Sequence, residues 1–251
     1  MSTAIAPIAP ALGPGVGTHL TPRQEFAILA RILHQVGYDD GLAGHITVRQ
    51  PDDTFLVNPF AIGWDELRAS QVAVTDIDGN HLEGPYKINA ATELHFALHR
   101  TRPVQVAIHN HPRWASTWSS HRRVPPCYDQ TSAVITGTIA LVTEYDGVVN
   151  DPMVAQRTIE AMGNADMALL ANHGVLVTAD SVSQAVTRAR TLETRCRNAW
   201  QVEAMGSGGK VLPPEIVDTL QAGFARLDGV FPNYFEYMAR RVIAADPAVL
   251  E

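Results

Sequence analysis

Cysteine is nearly absent from this chain of 251 residues. The two that occur, Cys127 and Cys196, lie far apart and outside any C-x-x-C spacing. That pattern argues against a disulfide framework and fits a reducing cytoplasm. No apolar run reaches the roughly 18 residues that mark a membrane span. There is no Lys/Arg block, and the formal net charge is -7, so binding to a phosphate backbone is not expected. A G-x-G-x-x-G or P-loop pattern is missing as well, so no nucleotide is indicated. The first eighteen residues lack the basic start and continuous apolar centre of a signal peptide.

What is present is ordinary globular material, 46% hydrophobic and 18% charged, with ten histidines. Residues 1–20, rich in Ala, Pro and Gly, read as a flexible N-terminal arm, and 21–251 as one domain. Thr21-Pro22-Arg23-Gln24 is a capping box that opens a helix ending near Gly37. Strands are predicted at His45–Arg49, Phe55–Asn58, Val72–Thr75, Val104–His109, Ile139–Thr143, Met167–Leu170 and Val175–Val177. Helices are predicted over Ala91–His99, from Asp151-Pro152 to Gly163, and from a second capping box at Ser181 to near Gly206. Two more close the chain, after Pro213-Pro214 and around Phe235–Ala245. Strands and helices intermingle, so the fold class is α/β, with a central mixed or antiparallel sheet and helices on its faces.

The segment Val106-Ala107-Ile108-His109-Asn110-His111-Pro112 carries the sharpest chemistry. Side chains two apart on a strand share a face, so His109 and His111 present adjacent imidazoles at the end of an apolar strand. A divalent cation relieves the burial of two such rings; a hydrogen-bonded structural pair does so too. His173 sits in a turn between two apolar runs, before Gly174, whose lack of a β-carbon permits a backbone conformation other residues oppose. It is a candidate third ligand, and three neutral imidazoles leave an open position on a catalytic metal. A cupin would show a glutamate a few residues after the second histidine, and Pro112–Ser119 has none. A metal-dependent hydrolase barrel would carry the motif on its first strand, with more chain after it than is present here.

From Gln24 to Ala204 the chain resembles the class II aldolase and adducin-head superfamily, closest to its bacterial adducin-like branch. The resemblance rests on Ala43-Gly44-His45-Ile46-Thr47-Val48-Arg49, Asp78-Gly79, His95 with Arg102-Pro103, and His109-Asn110-His111-Pro112. It continues through Pro125-Pro126 with Gln130, Glu144-Tyr145-Asp146-Gly147 and Asn172-His173-Gly174-Val175-Leu176. It implies a three-layer α/β/α domain with a mixed, mainly antiparallel sheet, and a divalent metal on His109, His111 and His173. It also implies a homotetramer with active sites between subunits. Sugar-phosphate aldolases of the family carry a base glutamate where this chain has Ala91; Glu93 is the nearest carboxylate. Their phosphate-binding serine pair is matched by Asn89-Ala90, and an asparagine contact by His45. The resemblance therefore points to a small non-phosphorylated substrate.

The expected activity is a metal-dependent carbon–carbon lyase acting on a hydroxy-carbonyl or hydroxy-acid compound, by retro-aldol cleavage or decarboxylation. Zinc is the default for three imidazoles, with manganese, iron and cobalt open. Glu93, His95 and Tyr128 are the candidates for proton transfer, Tyr128 reaching a neighbouring subunit's site. His45 reads as a contact to an anionic substrate, or as a turn cap. Phe231, Tyr234, Phe235 and Tyr237 crowd the C-terminal segment, as aromatics do where proteins meet. The reading from another class is an adducin-like binding or scaffold protein without turnover.

Overall fold

Thr21 opens the first helix as its sequence context predicts. Its hydroxyl accepts from the Gln24 N–H, and the Gln24 side chain accepts from the Thr21 N–H, closing the first turn of α1 (Pro22–Gln35). The computed structural model describes residues 19–134, 137–144, 147, 151–206, 208–227 and 230–251. Nearly all of the expected arm, and Tyr145 and Asp146 of the family-like stretch, lie outside these.

The described residues form an eight-stranded sheet. Its strands are β1 (His45–Arg49), β2 (Phe55–Val57), β3 (Ala73–Thr75), β4 (His81–Glu83), β5 (Val106–Asn110), β6 (Ile139–Val142), β7 (Met167–Leu170) and β8 (Gly174–Ala179). Their order is β4-β3-β2-β1-β5-β8-β7-β6. Every neighbouring pair is antiparallel except β6 with β7, so the sheet is mixed and mainly antiparallel, as expected.

Strand alternation divides the core into two layers. Val106 and Ile108 of β5 and Val175 and Val177 of β8 face α1, α3 (Arg113–Ser119), α6 (Val182–Ala204) and α8 (Val230–Ala245). Ala107, Ala168 and Leu176 face the other way, against α2 (Glu93–Thr101) and α5 (Pro152–Met162). Each fully buried Leu, Ile or Val in these layers contributes about 1.5–3 kcal/mol. The result is a three-layer α/β/α domain.

Three local departures from expectation have simple causes. The strand β4 carries no apolar alternation, because all three of its residues are exposed where it pairs with β3 at the edge of the sheet. At Ser181 the hydroxyl accepts from the Gln184 N–H, but the Gln184 side chain turns to the Asp180 N–H, so the second box closes one residue early. Phe235 is buried in the core of its own chain, while Tyr237 is exposed, so the C-terminal aromatics do not form one surface. The remaining helices are α4 (Gln130–Ala133) and α7 (Pro214–Ala225).

Register gathers one end of the sheet. His45 lies opposite His109 across β1 and β5, His109 opposite Leu176 across β5 and β8, and Leu170 opposite Gly174 across β7 and β8. The β7–β8 turn and the residue following β5 therefore arrive at the same edge as the first residue of β1.

Candidate functional site

At that edge His109, His111 and His173 converge: each offers one ring nitrogen, and these nitrogens lie within 4.8 Å of one another. The backbone explains each placement. His109 is on β5 with its side chain on the α2 face, and Nδ1 donates to the Val175 carbonyl at 2.9 Å. His111 follows β5; its N–H donates to Oδ1 of Asn110, and its Nδ1 is 3.0 Å from the Asp40 carboxylate. The Asn110 amide in turn donates to the Tyr38 carbonyl, which ties the segment after α1 to the end of β5. His173 is the last residue of the tight β7–β8 turn, with its N–H bonded to the Leu170 carbonyl.

The turn does not use Gly174 in the way its sequence suggests. The left-handed residue is Asn172, with φ 57°. Gly174 is required for space: a β-carbon there would lie 2.4 Å from the Asn110 carbonyl oxygen and 2.7 Å from the His111 ring. Gly44 plays the same part on β1's approach, where a β-carbon would meet Trp64 at 2.5 Å and Asn110 at 2.8 Å.

The donor set fits a divalent cation. Nδ1 of His109 and Nδ1 of His111 are committed to outer partners, so each ring turns its Nε2 inward. The His111 Nε2 is buried and has no hydrogen-bond partner, an expensive state for a lone pair unless an acceptor of electrons sits there. Ligands about 2.1 Å from one tetrahedral cation lie about 3.4 Å apart, so ring shifts of about 1 Å or less complete the set. Burial, together with the neighbouring imidazoles, holds the His109 ring well below the usual histidine range. The same causes lower His173 to about 4, so neutral imidazoles, the ligating form, are already present at neutral pH.

These rings open onto a cavity of about 230 Å³ lined also by Ala43, His45, Phe60, Asn89, Ala91 and Leu94. His45 is buried, and neither ring nitrogen has a hydrogen-bond partner. Burial first, and the nearby His111 and His173 next, lower its pKa to about 4. Among the described residues no Lys or Arg lines this cavity, and Asn89 spends its side-chain oxygen on the Ala91 N–H.

The proton-transfer candidates are placed differently. Ala91 and Leu94 share the face that lines the cavity, and Glu93 is turned about 100° from Leu94. The Glu93 carboxylate pairs with Arg100 at 2.7 Å and borders a separate hollow with Asp78 and Phe96, so it is not brought to the histidines. His95 is fully buried behind His45, ring centroids 5.8 Å apart, with Nδ1 bonded to Oγ1 of Thr47. It supports the cavity without lining it. Tyr128 donates to Glu203 at 3.2 Å and does not reach the histidine cavity of its own chain.

Sequence reasoning missed Asp40 and Thr47. Thr47 had a signal, since it lies two residues after His45 on the same strand face. Asp40, in a turn far upstream of His111, had none.

Comparison with known proteins agrees with this architecture. The class II aldolase and adducin N-terminal domain model matches residues 24–200. A 3,4-dihydroxyphthalate decarboxylase of Arthrobacter keyseri is 30% identical over 210 residues, covering 78% of this chain and 84% of the relative. An aldolase II superfamily protein from Pseudomonas syringae superposes with TM-score 0.82 at 24% identity, over 92% of this chain and 97% of the other. An L-fuculose 1-phosphate aldolase from Glaciozyma antarctica PI12 gives TM-score 0.76 at 23% identity, over 91% of each chain. At those identities the two structures speak for the fold alone. Among the described residues no helix is long and apolar enough to cross a membrane.

Proposed function

The chain belongs to the class II aldolase and adducin N-terminal domain family, and on that footing we propose that it is a divalent-metal-dependent carbon–carbon lyase acting on a small, non-phosphorylated hydroxy-acid or hydroxy-carbonyl compound. The observation that carries this reading is the inward convergence of His109, His111 and His173 on a cavity without a cationic side chain among the described residues. The three rings would hold the metal, zinc by preference for imidazole, with manganese, iron or cobalt compatible with the same ligands. When bound, the cation supplies Lewis-acid stabilisation of the negative charge that carbon–carbon cleavage leaves.

The chain's own residues favour decarboxylation over retro-aldol cleavage. Retro-aldol cleavage needs a base for the substrate hydroxyl, and no Asp or Glu lines the cavity among the described residues. Decarboxylation starts from an ionised carboxylate and needs a proton returned to carbon. His45 lines the cavity with both ring nitrogens unspent, so it is assigned contact with the substrate; burial keeps the ring neutral, so it would relay that proton from water rather than store it. Phe60 and Leu94 supply an apolar wall that sheds water. The homotetramer, with Tyr128 completing a neighbour's site, and a reducing cytoplasmic setting for the two free cysteines, belong to the same proposal.

The test is metal analysis followed by a carbon dioxide release screen over small hydroxy-acids, each paired with its phosphorylated counterpart. About one divalent ion per chain and chelator-sensitive turnover of a non-phosphorylated member are expected. A protein that neither retains nor takes up a divalent ion sinks the reading.

A further inference from the structure

Away from the histidines, three arginines converge around a single buried carboxylate, that of Glu193, which is already engaged by backbone N–H groups. A cleft of about 430 Å³ lies between the end of α1, the start of α3 and one face of α6; it shares no lining residue with the histidine cavity. Arg190, Glu193, Thr194 and Arg197 fall at i, i+3, i+4 and i+7 on α6, so helical geometry aligns them on this one face. Arg113, the first residue of α3, enters from the opposite wall.

The guanidinium groups are positioned but not satisfied. Arg113 stacks over the Trp114 ring at 5.3 Å, and Arg190 over Tyr234 at 5.2 Å. Stacking fixes the plane of a guanidinium and leaves its N–H edge for a ligand. Among the described residues none of the three makes a salt bridge; Arg197 bonds only the side chain of its neighbour Asn198, at 3.3 Å. Glu193, the one carboxylate in the described lining, is buried, and its two oxygens each accept from a backbone N–H at 2.8 Å, those of Trp114 and Ala115. It is occupied in closing the first turn of α3. The cleft therefore holds an excess of positive charge on a chain whose formal net charge is -7.

We propose that this cleft is a binding site for a small anion carrying at least two negative charges, with Arg113, Arg190 and Arg197 as its recognition groups. Planar guanidinium forks suit carboxylate and phosphate oxygens alike. Thr194 stands between the two α6 arginines along the helix and, with Trp114, lines the cleft. The site is separate from the proposed lyase cavity, and its test does not depend on turnover.

The experiment is titration of the metal-loaded protein with inorganic phosphate and with succinate, two dianions that bind metals weakly. Calorimetry and tryptophan fluorescence provide the readouts, with sodium chloride as the ionic-strength control. Saturable binding of either dianion at one per chain is expected. Whichever binds tighter identifies phosphate esters or dicarboxylates as the class. Arg197→Gln and Arg113→Gln, both at exposed positions, should each weaken binding about tenfold or more, and Arg197→Lys should recover only part. Absence of saturable binding, or binding indifferent to both variants, overturns the proposal. So does a wild-type protein that ignores both dianions while Arg197→Gln changes its mass in light scattering, because the cleft would then belong to a contact between copies of the chain.

Discussion

Asp40 and His111 are 71 residues apart in the chain and 3.0 Å apart in space. The carboxylate fixes a ring that the strand itself does not hold, since His111 follows the end of β5 and is partly exposed. It also fixes the tautomer, with the proton on Nδ1 and the Nε2 lone pair turned inward for a cation.

Replacing that carboxylate should therefore act on metal affinity before it acts on the fold. Asp40→Asn keeps the side-chain shape and is expected to weaken divalent metal binding about 10–100-fold. Competition against a chromophoric chelator measures this, and thermal unfolding in excess chelator should match the parent. Equal affinity in the variant would show that the Asp40 charge does not support the site.

Gly174→Ala puts a methyl group where the structure leaves 2.4 Å to a carbonyl and 2.7 Å to the His111 ring. Backbone cannot yield cheaply, so the variant is expected to lose about 1–3 kcal/mol of stability and to release metal as His111 is displaced. Urea unfolding and metal content report the two effects separately. Parental stability together with full metal content in this variant would show that the turn can shift as a unit.

Acid sensitivity follows from the buried imidazoles that do not line the cavity. Burial, helped by the positive charge of Arg49, depresses His99 from 6.5 to about 3, and burial drives His95 down as well. Above pH 6.5 the folded and unfolded chains both hold these rings neutral. As the pH falls, the unfolded chain takes up protons that the folded one refuses, so stability declines from about pH 6.5 towards pH 3. Each such ring contributes a slope of about 1.4 kcal/mol per pH unit. Urea unfolding of chelator-treated protein between pH 7.5 and 4.5 should show this decline, and His99→Gln should make it shallower. A flat profile would contradict the assignment.

Assembly is the fourth expectation. Light scattering at working concentration should return four times the chain mass of 27.2 kDa. A single-chain mass would leave Tyr128, bonded to Glu203, without access to any histidine cavity.

The sheet was legible because most of its strands announce themselves by buried apolar residues of matching period: β5 was expected at Val104–His109 and forms at Val106–Asn110, and β1 has the bounds expected of it. The three candidate metal ligands were legible for a related reason, since His109 sits on a strand face, His111 just beyond that strand and His173 in a tight turn. What stayed hidden depends on long-range approach. The Asp40 contact, the capping of α3 by Glu193, and the reason for Gly174 all arise from segments that meet only in the folded chain. The misplacement of Glu93 has the opposite origin: residue type suggested a base, and helix rotation turned the carboxylate to Arg100.

Behind the cavity, the single hydroxyl of Thr47 is 2.9 Å from Nδ1 of His95 and 2.8 Å from Nε2 of His99. A hydroxyl has one proton to give, so with both rings neutral it donates to one and accepts from the other. The tautomers of His95 and His99 are therefore locked together. When the hydroxyl points to His95, that ring carries its proton on Nε2, the nitrogen left without a partner beside His45; when it points to His99, the same nitrogen is a bare acceptor. A rotation of one hydroxyl thus decides whether the wall behind the cavity-lining His45 offers a hydrogen or asks for one, and Thr47→Val would erase that choice while keeping the side-chain volume.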